Sequence, residues 1–233
     1  MTAAFVLNEL LSMANLEKAA FLQRFFKTGP GQYAEGDVFL GLVVPLTRNI
    51  AKANKQTPLS ELQLLMESEY HEARLCALLI VAEQFKKATE TERKELYEFY
   101  LKNARRINNW DLVDVTCPHV VGAYLLDKDR SRLYELAKSD NLWEQRIAMV
   151  STISFIRNRE YADTLALAER LMTHKHDLMH KAVGWMLREI GKKDRETLTE
   201  FLEQYATRLP RTALRYAIEH YPEEQRQYFL KKK

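Results

Sequence analysis

Glycine, proline and cysteine are scarce in this chain, and long hydrophobic runs are missing. The 233 residues include 7 Gly, 6 Pro and 2 Cys, so few residues interrupt regular structure. The apolar stretch at the N-terminus follows no basic residues and is broken by Asn8, Glu9 and Asn15. Such a stretch is neither a signal peptide nor a membrane span, and we expect a cytoplasmic protein with no membrane partner.

Side chains that commonly bind metals do not occur at ligand spacing. Cys76 and Cys117 form no CxxC pair and lie in apolar stretches, so we expect buried free thiols. Among the 6 histidines, the group His174, His176 and His180 has no cysteine or carboxylate at ligand spacing, which favours a polar turn. No phosphate-binding loop, dinucleotide fingerprint or nucleophile elbow is present. The sequence therefore predicts neither a metal site nor a cofactor.

The charge balance permits a nucleic-acid partner without requiring one. Lys and Arg number 35 against 32 Asp and Glu, which gives a formal charge of +3. An uneven distribution of these charges would still produce a basic surface. Hydrophobic residues make up 46% of the chain, which is enough to bury a core and excludes a disordered chain.

Apolar residues recur three and four apart along most of the chain, which predicts helices joined by short turns. The one glycine-rich stretch, Thr28–Gly41, interrupts this pattern and is predicted to be a loop. The predicted helices span about residues 3–13, 16–27, 45–53, 58–68, 70–86, 92–107, 110–126, 131–138, 142–157, 161–173, 178–190, 195–208, 211–220 and 223–230.

Several of these helices begin alike, and their starts are regularly spaced. Aligning Arg74, Trp110, Arg146 and Lys181 gives steps of 36, 36 and 35 residues, and Arg211 continues the series after 30. A period of this size with two helices per unit is typical of a HEAT-like solenoid. We therefore predict an all-α, HEAT-like helical-repeat solenoid that forms one domain over residues 1–233.

Residues at equivalent repeat positions are expected to line up on one concave surface. All but one of the aligned residues are basic: Arg74, Trp110, Arg146, Lys181 and Arg211. The positions one helical turn further on face the same way: Leu78, Asp114, Val150, Trp185 and Arg215. The predicted groove thus carries a row of cations, two indoles and one carboxylate.

Such a surface suits nucleic acid. Cations neutralise phosphates, indole faces pack against sugars, bases and cations, and a carboxylate between them can stabilise an oxocarbenium-like centre. Each residue alone also has a structural explanation. Tryptophans often pack between repeats, an aspartate such as Asp114 can cap a helix, and an arginine such as Arg146 can bridge neighbouring helices.

Three motifs add a family resemblance over nearly the whole length: Asn109–Asp114, Ser139–Arg146 and Lys181–Glu189. In their order and spacing they resemble the DNA alkylation repair glycosylases of the AlkD-like family. The resemblance implies a HEAT-like enzyme that removes purines alkylated at N3 or N7 from duplex DNA. Trp110, Asp114 and Trp185 match the family's catalytic triplet, and Arg146 matches an arginine that contacts the DNA backbone.

One position departs from the family pattern. Phe25 stands where some relatives have a tyrosine that helps to hold the DNA. Loss of that hydroxyl removes one hydrogen bond and leaves the carboxylate chemistry intact, so it bears on lesion range. Tyr33, in the nearby loop, is a candidate to replace it. The remaining expected DNA contacts are the cations Arg74, Lys181, Arg211 and Arg215.

The expected reaction is monofunctional hydrolysis by a monomer, without a cofactor, on double-stranded DNA containing alkylated bases. An alkylated purine is already cationic and leaves without a general acid, which fits the single carboxylate at Asp114. Two other classes stay open at this point. One is a non-catalytic solenoid that binds distorted or branched DNA, and the other is a protein-interaction scaffold, since fold alone does not determine function.

Overall fold

The computed structural model describes residues 1–232, so Lys233, the last residue of the expected domain, lies outside it. The described chain is helical, and its one β-type contact is an isolated parallel bridge between Val38 and Tyr70. The helices form two compact units, Met1–Val120 and a second that starts at Val121. In residues 1–232 no helix combines the length and apolar character that a membrane crossing needs.

Unit 1 is organised around a central helix, α5. Nearly every residue of α5 is buried, and it packs against α3, α4, α6 and α7. The helices of this unit are α1 (Ala3–Ser12), α2 (Leu16–Phe25), α3 (Val44–Ala53), α4 (Leu59–Met66), α5 (His71–Phe85), α6 (Glu90–Lys102) and α7 (Trp110–Asp114), with a 3-10 turn at Ala104–Arg106.

Side-chain caps set several helix starts in this unit. Asn15 accepts a hydrogen bond from the backbone N–H of Lys18 at the start of α2, and Asn109 accepts one from the N–H of Trp110 at the start of α7. Thr89 and Glu92 form a capping box before α6. These caps satisfy backbone donors that have no partner within the helix.

The loop between α2 and α3 is tied to α5 at its C-terminal end. The buried carboxylate of Glu72 accepts hydrogen bonds from the N–H groups of Leu40, Gly41 and Leu42, at 2.9, 2.9 and 3.1 Å. Gly41 has a φ of 88°, and a Cβ there would lie 2.2 Å from the carbonyl oxygen of Asn15. The loop end therefore lies too close to the start of α2 for any other residue.

Unit 2 is organised around its longest helix, α12, which packs against α9, α10, α11, α13 and α14. A Cβ at Gly184 would lie 2.5 Å from the carbonyl oxygen of Ala213, so this glycine lets α12 and α14 approach closely. The helices are α8 (Ser131–Leu136), α9 (Leu142–Ser151), α10 (Ile153–Arg157), α11 (Ala162–Leu171), α12 (Asp177–Lys193), α13 (Arg195–Tyr205), α14 (Arg211–Ala217) and α15 (Glu223–Lys231).

The predicted helix over residues 110–126 is wrong in its length. Helix α7 ends at Asp114, and a π-helical turn follows at Pro118–Gly122. Proline has no N–H to donate, and its ring collides with the carbonyl four residues earlier, so Pro118 cannot extend α7. The predicted helix over residues 142–157 is likewise divided, at Thr152, whose hydroxyl donates to the carbonyl of Met149 at 2.7 Å.

Other expectations hold. Cys76 and Cys117 are both free and buried, as predicted, and burial raises the pKa of the Cys76 thiol to about 12. The aligned repeat residues all lie within the first two turns of separate helices: Arg74 in α5, Trp110 in α7, Arg146 in α9, Lys181 in α12 and Arg211 in α14.

Candidate functional site

Helix α7 carries two of the predicted site residues on one side. Trp110 and Asp114 are half-buried, whereas Asp111, Leu112 and Val113 between them are buried. Residues four apart lie one above the other on a helix. The indole and the carboxylate are therefore presented together at the surface of unit 1.

The indole of Trp110 is held by two phenylalanines from the end of α2. Phe26 stacks on it with ring centroids 5.1 Å apart, and Phe25 meets it edge-on at 6.2 Å. Phe26 is buried, but Phe25 is 54% exposed. Phe25 thus lies beside Trp110 with its ring exposed at the surface.

Further aromatic rings continue below Phe26. Its ring stacks on Phe39 at 5.0 Å, and Phe39 stacks on the imidazole of His71 at 4.3 Å. Phe26 also lies 5.5 Å from that imidazole. The rings of Phe26, Phe39 and His71 thus form a continuous column that ends at Trp110. We call these four rings the aromatic column.

His71 lies between two buried carboxylates. Its Nε2 is 2.8 Å from Oδ2 of Asp111, and its Nδ1 is 3.4 Å from Oδ2 of Asp37. Burial alone would lower the pKa of His71, but the charge and hydrogen bond of Asp111 outweigh it and raise the pKa to about 9. The imidazole is therefore a buried cation at neutral pH.

Asp37 also binds Arg74, and this changes the interpretation of that arginine. Nη2 of Arg74 donates to Asp37 Oδ1 at 2.7 Å, and Nη1 donates to the carbonyls of Ser68 and Glu69 at 2.8 and 3.0 Å. Arg74 is 2% exposed. The expectation that Arg74 stands in an exposed row of cations is wrong, because its guanidinium is buried against the loop carboxylate.

Asp114 lies near a buried tyrosine of α6. Tyr100 bonds through its hydroxyl to Thr116 Oγ1 at 2.9 Å. Burial, the charge of Cys117 and the charge of Asp114 hold the pKa of Tyr100 well above its usual range. A buried, neutral phenol therefore lies near the end of α7.

In unit 2 the predicted residues of α12 also share a side. Lys181 and Trp185 are one turn apart and half-buried, and α12 turns Ala182, Val183 and Gly184 into the core. Nζ of Lys181 pairs with Asp177 at 2.8 Å. This side of α12 therefore presents a cation and an indole.

The three arginines predicted in unit 2 differ in exposure. Arg146 is 4% exposed and donates from Nη1 to the carbonyl of Leu178 at 2.5 Å, so it joins α9 to the start of α12. The expectation that Arg146 stands in an exposed row of cations is wrong, because the residue is buried and bonded to a backbone carbonyl. Arg211 and Arg215 of α14 are exposed, and Arg211 donates to the carbonyl of Leu230 at 2.9 Å.

Sequence reasoning missed the buried charge cluster under Trp110. Asp37, His71 and Asp111 come from three segments, so no local spacing indicates them. Asp111 follows Trp110 directly, and that adjacency was the one available signal.

In residues 1–232 no group of histidine, cysteine and carboxylate side chains is arranged to hold a metal ion. Tyr33 is half-buried in the loop.

Comparison with solved structures identifies the fold class. Among solved structures, one described as a predicted DNA alkylation repair enzyme from Enterococcus faecalis is similar, with a TM-score of 0.68 and 17% identity over 90% of this chain and 97% of that chain. At that identity the likeness shows the fold, and it confirms the predicted all-α helical-repeat class.

Sequence comparison identifies the family. The profile of the DNA alkylation repair enzyme family matches residues 6–221, and the chain belongs to this family. Membership confirms the resemblance seen in the motifs and gives the protein a role in DNA alkylation repair, with DNA as its partner. No curated protein matches the chain significantly.

Proposed function

We propose that this protein is a monofunctional DNA glycosylase that hydrolyses the N-glycosidic bond of purines alkylated at N3 or N7, such as 3-methyladenine and 7-methylguanine, in duplex DNA. The observation that carries the proposal is the pairing of Trp110 with Asp114 on the outer side of α7. Membership in a DNA alkylation repair family supports it.

The chemistry follows from the cationic leaving group. The C1′–N bond breaks and its electron pair neutralises the alkylated purine, so no proton donor to the base is needed. Asp114 stabilises the positive charge that develops on the deoxyribose and orients a water molecule. The water attacks C1′ and gives up a proton to the solvent, which leaves a hydroxyl on C1′, while Trp110 and Trp185 pack against the sugar. No lysine nucleophile takes part, so strand cleavage is not expected.

Exposed cations of unit 2 are proposed to bind the phosphates. Lys181, Arg211 and Arg215 reach the surface on α12 and α14. Phe25 and Tyr33 are proposed as further DNA contacts in unit 1, with the exposed ring of Phe25 stacking on a base or sugar. Arg146 contributes in this proposal by holding the start of α12 rather than as an open phosphate clamp. We propose that the protein acts as a monomer in the cytoplasm.

The test is release of methylated bases from duplex DNA. Treated DNA is incubated with the protein, and free 7-methylguanine and 3-methyladenine are measured by chromatography, with a uracil-containing duplex as the neutral-lesion control. The parent protein is expected to release methylated purines and leave uracil in place. Asp114→Asn is expected to lose about a hundredfold or more in the rate of release, since it removes the charge but keeps the shape.

A matched variant separates this effect from a general loss of charge. Asp127→Asn changes a carboxylate of unit 2 that is 80% exposed, and it is expected to keep full activity. If Asp114→Asn released bases as fast as the parent, the catalytic assignment would be wrong. Tight binding of methylated or distorted DNA without any base release would instead favour the non-catalytic DNA-binding alternative.

A further inference from the structure

Helix α7 is too short to be stable without contacts to the rest of the protein. It contains five residues, Trp110–Asp114, and ends before the π-helical turn at Pro118. Forming one helical turn fixes several backbone angles for very few hydrogen bonds, so an isolated turn is unstable. The orientation of Trp110 and Asp114 must therefore depend on contacts that α7 makes with the rest of unit 1.

One of these contacts is a charged hydrogen bond made by Asp111. Its Oδ1 accepts the N–H of Leu112 at 2.9 Å, within α7. Its Oδ2 bonds to Nε2 of His71 at 2.8 Å, at the first residue of α5. One buried carboxylate thus joins the backbone of α7 to the central helix of the unit.

The aromatic column provides a second route between the same two places. His71 stacks on Phe39 and lies 5.5 Å from Phe26, and Phe26 stacks on Trp110. His71 is therefore connected to α7 twice, once by a charged hydrogen bond and once through rings that end on the indole. A shift of the imidazole would be transmitted to Trp110 by both routes.

The charges that surround His71 favour its protonated form and so strengthen this link. Asp37 comes from the loop and Asp111 from α7, while Glu72 and Arg74 come from α5 itself. Glu72 is satisfied by three backbone N–H groups, and Asp37 is bonded to Arg74 and to Asn108. Deprotonated His71 can still donate one N–H to Asp111, but the positive charge that compensates this buried carboxylate is lost, and an uncompensated buried charge is costly.

We propose that His71 is the positioning residue of the candidate active site, and that its protonated imidazole holds α7 through Asp111 so that Trp110 and Asp114 keep the geometry needed for base release. The proposal rests on the proposed function for its catalytic part. The structural part, that His71 sets the surroundings of Trp110, is independent of any activity.

Tryptophan fluorescence tests the structural part. The chain has 3 Trp, so Trp143→Phe with Trp185→Phe leaves Trp110 as the only reporter. In this background the emission and iodide quenching of Trp110 are followed from pH 6 to 10.5. A transition is expected at about pH 9, where His71 loses its proton. His71→Gln, which like neutral histidine keeps an N–H donor but carries no charge, is expected to show the high-pH spectrum at every pH. His71→Leu, which loses the donor as well, is expected to show no transition and to depart further from the spectrum of the parent at pH 7.

Single-turnover base release tests the catalytic part. With tryptophans intact, His71→Leu and Asp111→Asn are each expected to slow release by roughly tenfold to a hundredfold, since small displacements of catalytic groups cost that much. DNA affinity is expected to stay unchanged, because His71 is buried and touches no proposed DNA contact except Trp110 through the column. The double variant is expected to be no slower than the slower single variant, since both changes break the same bond.

Leu62→Ala is the control for simple loss of stability. Leu62 is fully buried in α4 of the same unit and belongs neither to the aromatic column nor to the charge cluster. It is expected to lower stability yet keep the Trp110 transition and the base-release rate at temperatures where the protein stays folded.

The two hypotheses fail in different ways. If the parent protein releases no base, the proposed function fails, and the fluorescence titration still decides on His71. If the transition of Trp110 is the same in His71→Leu as in its parent background, or if no transition occurs between pH 6 and 10.5, the positioning role is overturned whatever the base-release assay shows.

Discussion

Phe26 stacks on Trp110 with ring centroids 5.1 Å apart and a 30° angle between the rings. One ring is buried and the other is half-buried, so the indole at the surface takes its orientation from a ring in the core. A tryptophan that is fixed before a ligand arrives loses little conformational entropy on binding. The structural explanation of Trp110 as a packing residue and its proposed role at the sugar are thus compatible.

Removing this support is expected to weaken both the fold and the site. Phe26→Ala should lower the free energy of unfolding by about 3 to 5 kcal/mol and shift the Trp110 emission toward that of an exposed indole. Chemical denaturation and fluorescence measure the two effects. Phe25→Ala is the comparison, because that ring is 54% exposed and its loss should cost far less stability. Equal losses in the two variants would contradict the assignment of Phe26 as the support.

Stability is expected to fall at high pH because of His71. The folded-state pKa, about 9, lies above the ordinary value of 6.5, so the contribution is complete below pH 6.5 and disappears as pH rises through 9. A shift of this size corresponds to roughly 3 kcal/mol. Urea denaturation of the parent and of His71→Gln at pH 7 and pH 10 measures it. The difference between the two proteins should shrink at pH 10, and a constant difference would refute the prediction.

Arg215 and Arg146 are expected to respond differently to substitution. Arg215→Ala removes an exposed cation, so DNA affinity should fall and the slope of log K against log salt should drop by about one, with stability unchanged. Arg146→Met removes a buried donor to Leu178 and should lower the melting temperature. Binding titrations at several salt concentrations and thermal melts distinguish them. A stable Arg146→Met protein with a reduced salt slope would return Arg146 to the phosphate contacts.

Gly41 is expected to be irreplaceable, whereas Gly31 is not. Both have positive φ, 88° and 73°, but a Cβ at Gly41 would lie 2.2 Å from the carbonyl of Asn15, and one at Gly31 would meet nothing within 4 Å. Gly31→Ala should cost about 1 kcal/mol from backbone strain alone. Gly41→Ala should cost several times more, because it also pushes the loop away from α2. Thermal or urea denaturation of both variants checks the difference.

The repeat period predicted which residues open helices, but not which of them face solvent. Arg74 and Arg146 occupy the expected register positions and are nevertheless buried. The reason is that a period identifies equivalent positions along the chain, while exposure depends on what packs over them. For Arg74 that neighbour is Asp37, from a loop that lies outside the repeats.

Helical spacing of four residues correctly predicted which side chains lie together on α7 and on α12. It placed Trp110 with Asp114, and Lys181 with Trp185, on common sides of their helices, and both pairs are half-buried as expected for surface positions. It could not indicate His71, because the contact between His71 and Asp111 joins residues 40 positions apart. Buried ion pairs of this kind arise from tertiary packing, and neither partner shows a distinctive local pattern.

The five-residue length of α7 has a consequence for how this site can be altered. A catalytic pair on a long helix could be transferred to another scaffold by copying one segment. Here the geometry of Trp110 and Asp114 is a property of the assembled unit, with Asp111 anchored on α5 and the indole resting on rings from α2 and the loop. A graft of residues 110–114 alone would carry the functional groups without their orientation. Substitution of a residue as distant in sequence as Asp37 would disturb that orientation in the protein itself and reduce activity.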